Sequence, residues 1–164
     1  MLISISAIFF YNENISKNFL TNIAGGIRHY LEKNTTDSIH LLITNNAFDT
    51  TIDADFHPLL KDVIHPAFTV EIINNDWNKG YGLAHNEAFQ LRNSDIFIIL
   101  NNDLTFRRND WIRMFCLEIE KGYPLVGMRD APNSLTPDGE GYESATKTFD
   151  YADFSRPTLS RWEI

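Results

Sequence analysis

The strongest strand signal in the chain, Ile96-Phe97-Ile98-Ile99-Leu100, runs straight into Asn101-Asn102-Asp103. A strand that delivers an aspartate at its tip offers one hard, anionic oxygen ligand. Mg²⁺ and Mn²⁺ take few carboxylates and complete their shell with phosphate oxygens and water. The chemistry implied is a divalent cation shared between Asp103 and a diphosphate. A second candidate is Asn78-Lys79-Gly80-Tyr81-Gly82-Leu83-Ala84-His85-Asn86, where two glycines let the backbone approach a ligand closely. It is not a dinucleotide fingerprint, because that motif follows the first strand and ends in Gly, whereas here the third position is His85. No G-x-x-x-x-G-K-S/T occurs, which removes the P-loop as well.

Alternating strand and helix signals position these residues. The apolar stretch from Met1 to Phe10 reads as a buried strand, and Phe19, Leu20, Ile23, Ile27, Tyr30 and Leu31 then recur at helical spacing, with Asn14 or Ser16 placed as the cap. Ile39 to Ile43 predicts a second strand, followed by an Asp-rich loop to about Pro58. Phe68 to Ile73 predicts a third, and Ala84, Ala88 and Leu91 mark a helix after the glycine turn. Beyond the fourth strand, Asn109 stands where it caps a helix carrying Ile112, Phe115, Cys116 and Ile119, with Gly122 at its end and a strand over 124–128. This order predicts an α/β fold, an open and mostly parallel sheet with helices on both faces.

In such sheets ligands bind beyond the carboxyl ends of the strands. The residues there are amide-rich: Tyr11-Asn12-Glu13, Thr44-Asn45-Asn46, Asn74-Asn75-Asp76 and Asn101-Asn102-Asp103. Asn and Asp also make good turns, but four clusters at one sheet edge favour a site.

The chain has 164 residues and a net charge of −8, with 43% hydrophobic residues, which suits one globular domain with a proper core. The acidic balance argues against nucleic acid as a partner, since such binding depends on clustered Lys and Arg. Cys116 is the single cysteine, so no intramolecular disulfide forms, and a reducing cytoplasm is the simplest reading. The N-terminal apolar run lacks a basic leader, and no run approaches the roughly 20 apolar residues needed to span a bilayer. Membrane contact is expected to be peripheral at most, at the inner face.

Taken together, Asn78 to Asn86, then Ile99-Leu100-Asn101-Asn102-Asp103, then Gly127-Met128 and Pro137-Asp138-Gly139 resemble family 2 glycosyltransferases of GT-A fold, in particular the rhamnosyltransferase-like group. The resemblance implies a Rossmann-like GT-A sheet over one domain, 1–164, with residues 1–128 as the nucleotide-sugar-binding core and 129–164 as an irregular acceptor-side segment. It implies a metal-dependent, inverting hexosyl transfer from a UDP- or dTDP-type sugar to a saccharide or lipid-linked acceptor in surface polysaccharide assembly. Asn101-Asn102-Asp103 occupies the D-x-D position, so Asp103 is the expected ligand of Mn²⁺ or Mg²⁺, and Asn101 faces the ribose or sugar. Tyr11, Asn12 and Glu13 match the first loop of the nucleotide pocket; Asn78, Gly80 and Asn86 match the loop and helix around the base and ribose. Thr44-Asn45-Asn46-Ala47-Phe48-Asp49 matches the D-N-x-S-x-D segment, with Thr44 where the family commonly has an Asp that accepts from the base. Thr accepts without the charge that strengthens the bond.

The acceptor half is not legible. Inverting transfer needs a carboxylate within reach of the acceptor hydroxyl, and none after Asp103 stands in a context like the family's base, so no catalytic residue is assigned. The competing class is a catalytically incomplete GT-A domain that binds nucleotide sugar or a protein. A phosphatase of the haloacid-dehalogenase type, whose D-x-D-x-T resembles Asn101 to Thr105, is excluded by Asn101, since an amide forms no acyl-phosphate. Among other candidates, His85 is placed to donate to phosphate or to cap its helix, Trp77 to stack on a ligand, and Trp111 to pack. Arg107-Arg108 either attracts a phosphate or lipid-linked acceptor or forms a solvated helix start.

Overall fold

The computed structural model describes residues 1–10, 12–62 and 65–122. Four strands, β1 (Leu2–Phe9), β2 (Ser38–Asn45), β3 (Phe68–Asn74) and β4 (Ile96–Asn101), alternate with helices α1 (Glu13–Lys33), α2 (Pro58–Lys61), α3 (Gly80–Leu91) and α4 (Trp111–Glu120). Every pairing is parallel and the order is β3-β2-β1-β4. The predicted strand 124–128 and the segment 129–164 lie outside the described residues. Because all four strands run the same way, their carboxyl ends share one edge. The chain order reverses at β1, which has β2 on one side and β4 on the other, so a crevice opens between the tips of β1 and β4.

Strand alternation divides the side chains between two faces. Ile3, Ile5, Ala7 and Phe9 of β1 join Ile96, Ile98 and Leu100 of β4 in a core closed by Phe19, Leu20, Ile23 and Ile27 of α1 and by Trp111, Ile112 and Phe115 of α4. Ser4 and Ser6 point the other way, and α3 covers that face with Ala84, His85 and Ala88 buried. The sheet therefore carries helices on both faces, as the alternation predicts.

Helix starts differ from the sequence expectation. Asn12, not Asn14 or Ser16, caps α1, its Oδ1 accepting from the Ile15 N–H at 3.0 Å. Asn14 lies inside the first turn, and the buried Ser16 Oγ accepts from Asn102 Nδ2 at 2.9 Å, tying α1 to the tip of β4. Asn109 caps nothing either. Asp110 holds the N-cap position of α4 without a side-chain cap bond, because Arg108 engages both its carboxylate oxygens at 3.0 and 2.7 Å. The Asp-rich loop leads into a single helical turn, α2, capped by His57 Nδ1, which accepts from the Leu59 N–H at 3.1 Å. Gly122 ends α4 as predicted, at φ +92°, where a side chain would be strained.

Two glycines sit inside α1, each costing about 1 kcal/mol of helix propensity relative to alanine. Their use is tertiary: a Cβ on Gly26 would lie 2.0 Å from Nε1 of Trp111, and one on Gly25 would lie 2.9 Å from Oδ1 of Asn109. Trp111 is fully packed there, stacked on Phe106 with centroids 4.1 Å apart. Gly26→Ala is therefore expected to destabilise the fold by about 2 kcal/mol, the overpacking term exceeding the gain in propensity. A urea midpoint equal to that of the wild type would show that Trp111 can move aside.

Candidate functional site

The amide-rich strand tips separate into two layers. Inside, Asn45 is paired in register with Asn74. Asn45 Nδ2 donates to Asn74 Oδ1 at 3.0 Å and to the Thr50 carbonyl at 2.8 Å, while its Oδ1 accepts from the Ala47 N–H at 3.0 Å. Asn74 completes the clasp on the next loop through the N–H and carbonyl of Ile52, both at 2.9 Å. One residue further along, Asn75 Nδ2 donates to Asn46 Oδ1 at 2.7 Å, and Asn46 Nδ2 donates to the Gly80 carbonyl at 3.1 Å. Asn45 and Asn46 are buried, so these amides fix the 46–52 loop and the first turn of α3. Thr44 is buried beside them, and its Oγ1 has no hydrogen-bond partner among the described residues.

The outer layer is exposed beyond the carboxyl ends of the strands. Asn78 turns the chain, its Oδ1 accepting from the Gly80 N–H at 2.8 Å, and Gly80 takes φ +70°. Nothing lies within 4 Å of where a Cβ would stand on Gly80 or Gly82, so the backbone here is open to approach. Asn78, Asn86, Asn101 and Asp103 are exposed, while Asn102 is half-buried through its bond to Ser16. At the start of α1, Glu13 is exposed and paired with Lys17, and Asn12 serves as the helix cap. Tyr11 lies outside the described residues. Trp77 is 55% exposed, as a stacking group requires.

Asp103 makes no hydrogen bond or ion pair among the described residues. Its field nevertheless reaches α3: burial first, and then the Asp103 carboxylate, push the Tyr81 phenol above its ordinary range. Tyr81 was not singled out from sequence, although an aromatic residue between two glycines in a polar stretch was the available signal. No group of three or more His, Cys, Asp or Glu side chains gathers among the described residues. A lone, unengaged carboxylate fits a hard cation whose shell is completed by phosphate and water, and fits no all-protein cage.

His85 belongs to neither of the roles open to it in the sequence. It is 3% exposed, lying against β1 with Nδ1 2.8 Å from Ser6 Oγ and its ring edge-on to Tyr81 at 4.4 Å. Burial lowers its pKa to about 4, so the imidazole is neutral at pH 7. Arg108 clamps Asp110 on the side of α1 and α4, away from the strand tips. Among the described residues no helix is long and apolar enough to cross a membrane.

The sequence profile described as Glycosyl transferase family 2 matches residues 8–157. Among solved structures, the chain is similar to the mannosyltransferase PcManGT from Pyrobaculum calidifontis, solved in complex with GDP-Man and Mn²⁺. The TM-score is 0.55 at 16% identity, covering 76% of this chain and 33% of that one. The chain thus spans about a third of the length of that enzyme, and the likeness is one of fold. No curated protein sequence matches significantly. The all-parallel sheet with its switch point at β1 and a profile match over most of the sequence agree, and the chain belongs to glycosyltransferase family 2.

Proposed function

We propose that the crevice between β1 and β4 binds a nucleoside-diphosphate sugar, for inverting transfer to a saccharide or lipid-linked acceptor in surface polysaccharide assembly. The observation that carries this reading is Asp103, exposed and unengaged at the topological switch point of the sheet. Asp103 would hold Mn²⁺ or Mg²⁺, which when bound offsets the charge developing on the departing diphosphate. Asn101 lies two residues before it on the same tip and is assigned to the ribose or sugar. Asn78, Gly80 and Asn86 border the base and ribose, and Asn12, Glu13 and Tyr11 form the opposite wall. Thr44, Asn45 and Asn102 act from beneath, Asn45 by holding the 46–52 loop and Asn102 by anchoring the β4 tip to α1. The reaction is assigned to the cytoplasm, peripheral at the inner membrane face when the acceptor is lipid-linked.

The base is the open choice. The resemblance points to UDP or dTDP, whereas the solved neighbour holds GDP-Man. Thr44 supplies a neutral hydroxyl, without the carboxylate that favours a ring N–H donor. Calorimetric titration with UDP, dTDP and GDP, each with and without Mn²⁺, tests the reading. Binding of one diphosphate strengthened about tenfold by Mn²⁺, or about 1.4 kcal/mol, is expected. Equal affinity without the metal would remove the cation from the site. Absence of binding by all three would leave the chain a protein-binding module.

A further inference from the structure

A groove of about 560 Å³ runs between the C-terminal end of α1 and the start of α4, with His29, Lys33, Arg108, Asp110 and Arg113 along its walls. It is separate from the crevice. His29 stands sixteen residues after the start of α1 at Glu13, and at 1.5 Å per residue the two lie about 24 Å apart along the helix.

The groove has a charge of its own in a chain of net −8. Its acid, Asp110, has both oxygens engaged by the Arg108 guanidinium. Arg113 is held from two turns further along α4 by Glu120, with contacts of 2.6 and 3.3 Å. That pairing fixes the guanidinium while using two of the five N–H donors an arginine carries. Lys33, exposed in the last turn of α1, makes no hydrogen bond or ion pair among the described residues. The walls are set by tertiary packing: Asn109 and Trp111 press onto Gly25 and Gly26, and Asn34 Nδ2 donates back to the Tyr30 carbonyl at 2.8 Å. A volume in the small-ligand range, with an uncommitted ammonium and an oriented guanidinium on facing walls, matches a compact, multiply accepting anion.

We infer that the groove between α1 and α4 is a second ligand site, which takes a phosphate group between Lys33 and Arg113. The sequence motif Arg107-Arg108 enters this site through Arg108, which neutralises Asp110 and so keeps the acid from repelling the ligand. A free phosphate ester and the headgroup of an anionic phospholipid share this chemistry.

The test uses the whole chain labelled with ¹⁵N, titrated at low ionic strength with inorganic phosphate and, separately, with vesicles of phosphatidylglycerol in phosphatidylcholine. Saturable amide shifts confined to His29–Asn34 and Asp110–Arg113 are expected with phosphate. Lys33→Gln and Arg113→Gln should each weaken binding about tenfold, the loss of one charge-assisted hydrogen bond. Co-sedimentation with the anionic vesicles, lost in Lys33→Gln, would identify the headgroup as the source; phosphate binding without vesicle binding would identify a soluble phosphate. Either result supports the site. No saturable shift in either arm, or shifts unchanged by both substitutions, would overturn it. Nucleotide binding at the crevice, followed in the same spectra through Asn101 and Asp103, reports separately on the proposed function.

Discussion

Asp103→Ala and Asp103→Asn should each abolish the dependence of nucleotide binding on Mn²⁺ while leaving the fold intact. The side chain is exposed at the end of β4 and makes no hydrogen bond or ion pair among the described residues, so its loss should change stability by no more than about 0.5 kcal/mol. Its contribution to the site is of another size. The β4 tip carries one carboxylate, and without its negative charge a divalent cation there has only the ligand's own phosphates and water to hold it. Asn keeps the shape and a carbonyl oxygen but removes the charge, so the two variants should behave alike. Diphosphate affinity in the presence of Mn²⁺ should fall to the metal-free value. Where transfer is measurable, turnover should fall by about 10²–10³, the usual scale for removing a group that stabilises developing charge. Retention of full Mn²⁺ dependence in Asp103→Asn would place the cation elsewhere, whatever the activity.

Acid should destabilise the fold through His85. An imidazole in the unfolded chain titrates near its ordinary value of 6.5, whereas burial against Ser6 lowers it to about 4 in the folded protein. Between these values the unfolded chain binds a proton that the folded chain does not. Stability is therefore full above pH 6.5, declines as pH falls toward 4, and loses about 3 kcal/mol in all from this residue. His40 and His57 are lowered too, chiefly by burial, and act in the same direction. The contribution of His85 is isolated by His85→Gln, whose amide can still bond Ser6. Urea unfolding of both proteins at pH 7 and pH 4.5 should show a difference in the wild type that the variant has largely lost. Parallel pH dependence in the two would mean that His85 takes up its proton in the folded state. The same experiment bears on the site, because the ring of Tyr81 rests on this imidazole.

The sequence by itself determined the order of elements and the position of Asp103. Each strand is announced by a local apolar run and the helices α1, α3 and α4 by a local period, while the single turn α2 carries no such period; the alternation permits few topologies. A carboxylate three residues past such a run reaches the sheet edge in any parallel arrangement, which is why Asp103 is found where it was expected. Tertiary structure decided what the other polar residues do. An asparagine side chain can bond its own backbone, a neighbouring strand or a ligand, and only the pairing of β2 with β3 sets Asn45 against Asn74 and closes their amides on the 46–52 loop. The cap of α1 falls to Asn12, and Ser16, inside the helix, meets Asn102 across the sheet edge. His85 was drawn inward by Ser6, seventy-nine residues earlier in the chain, and the two helix-weakening glycines are explained only by the Asn109 side chain that lies on Gly25 and the Trp111 indole that lies on Gly26. These contacts join residues far apart in sequence, and no local period or propensity records which of them will meet.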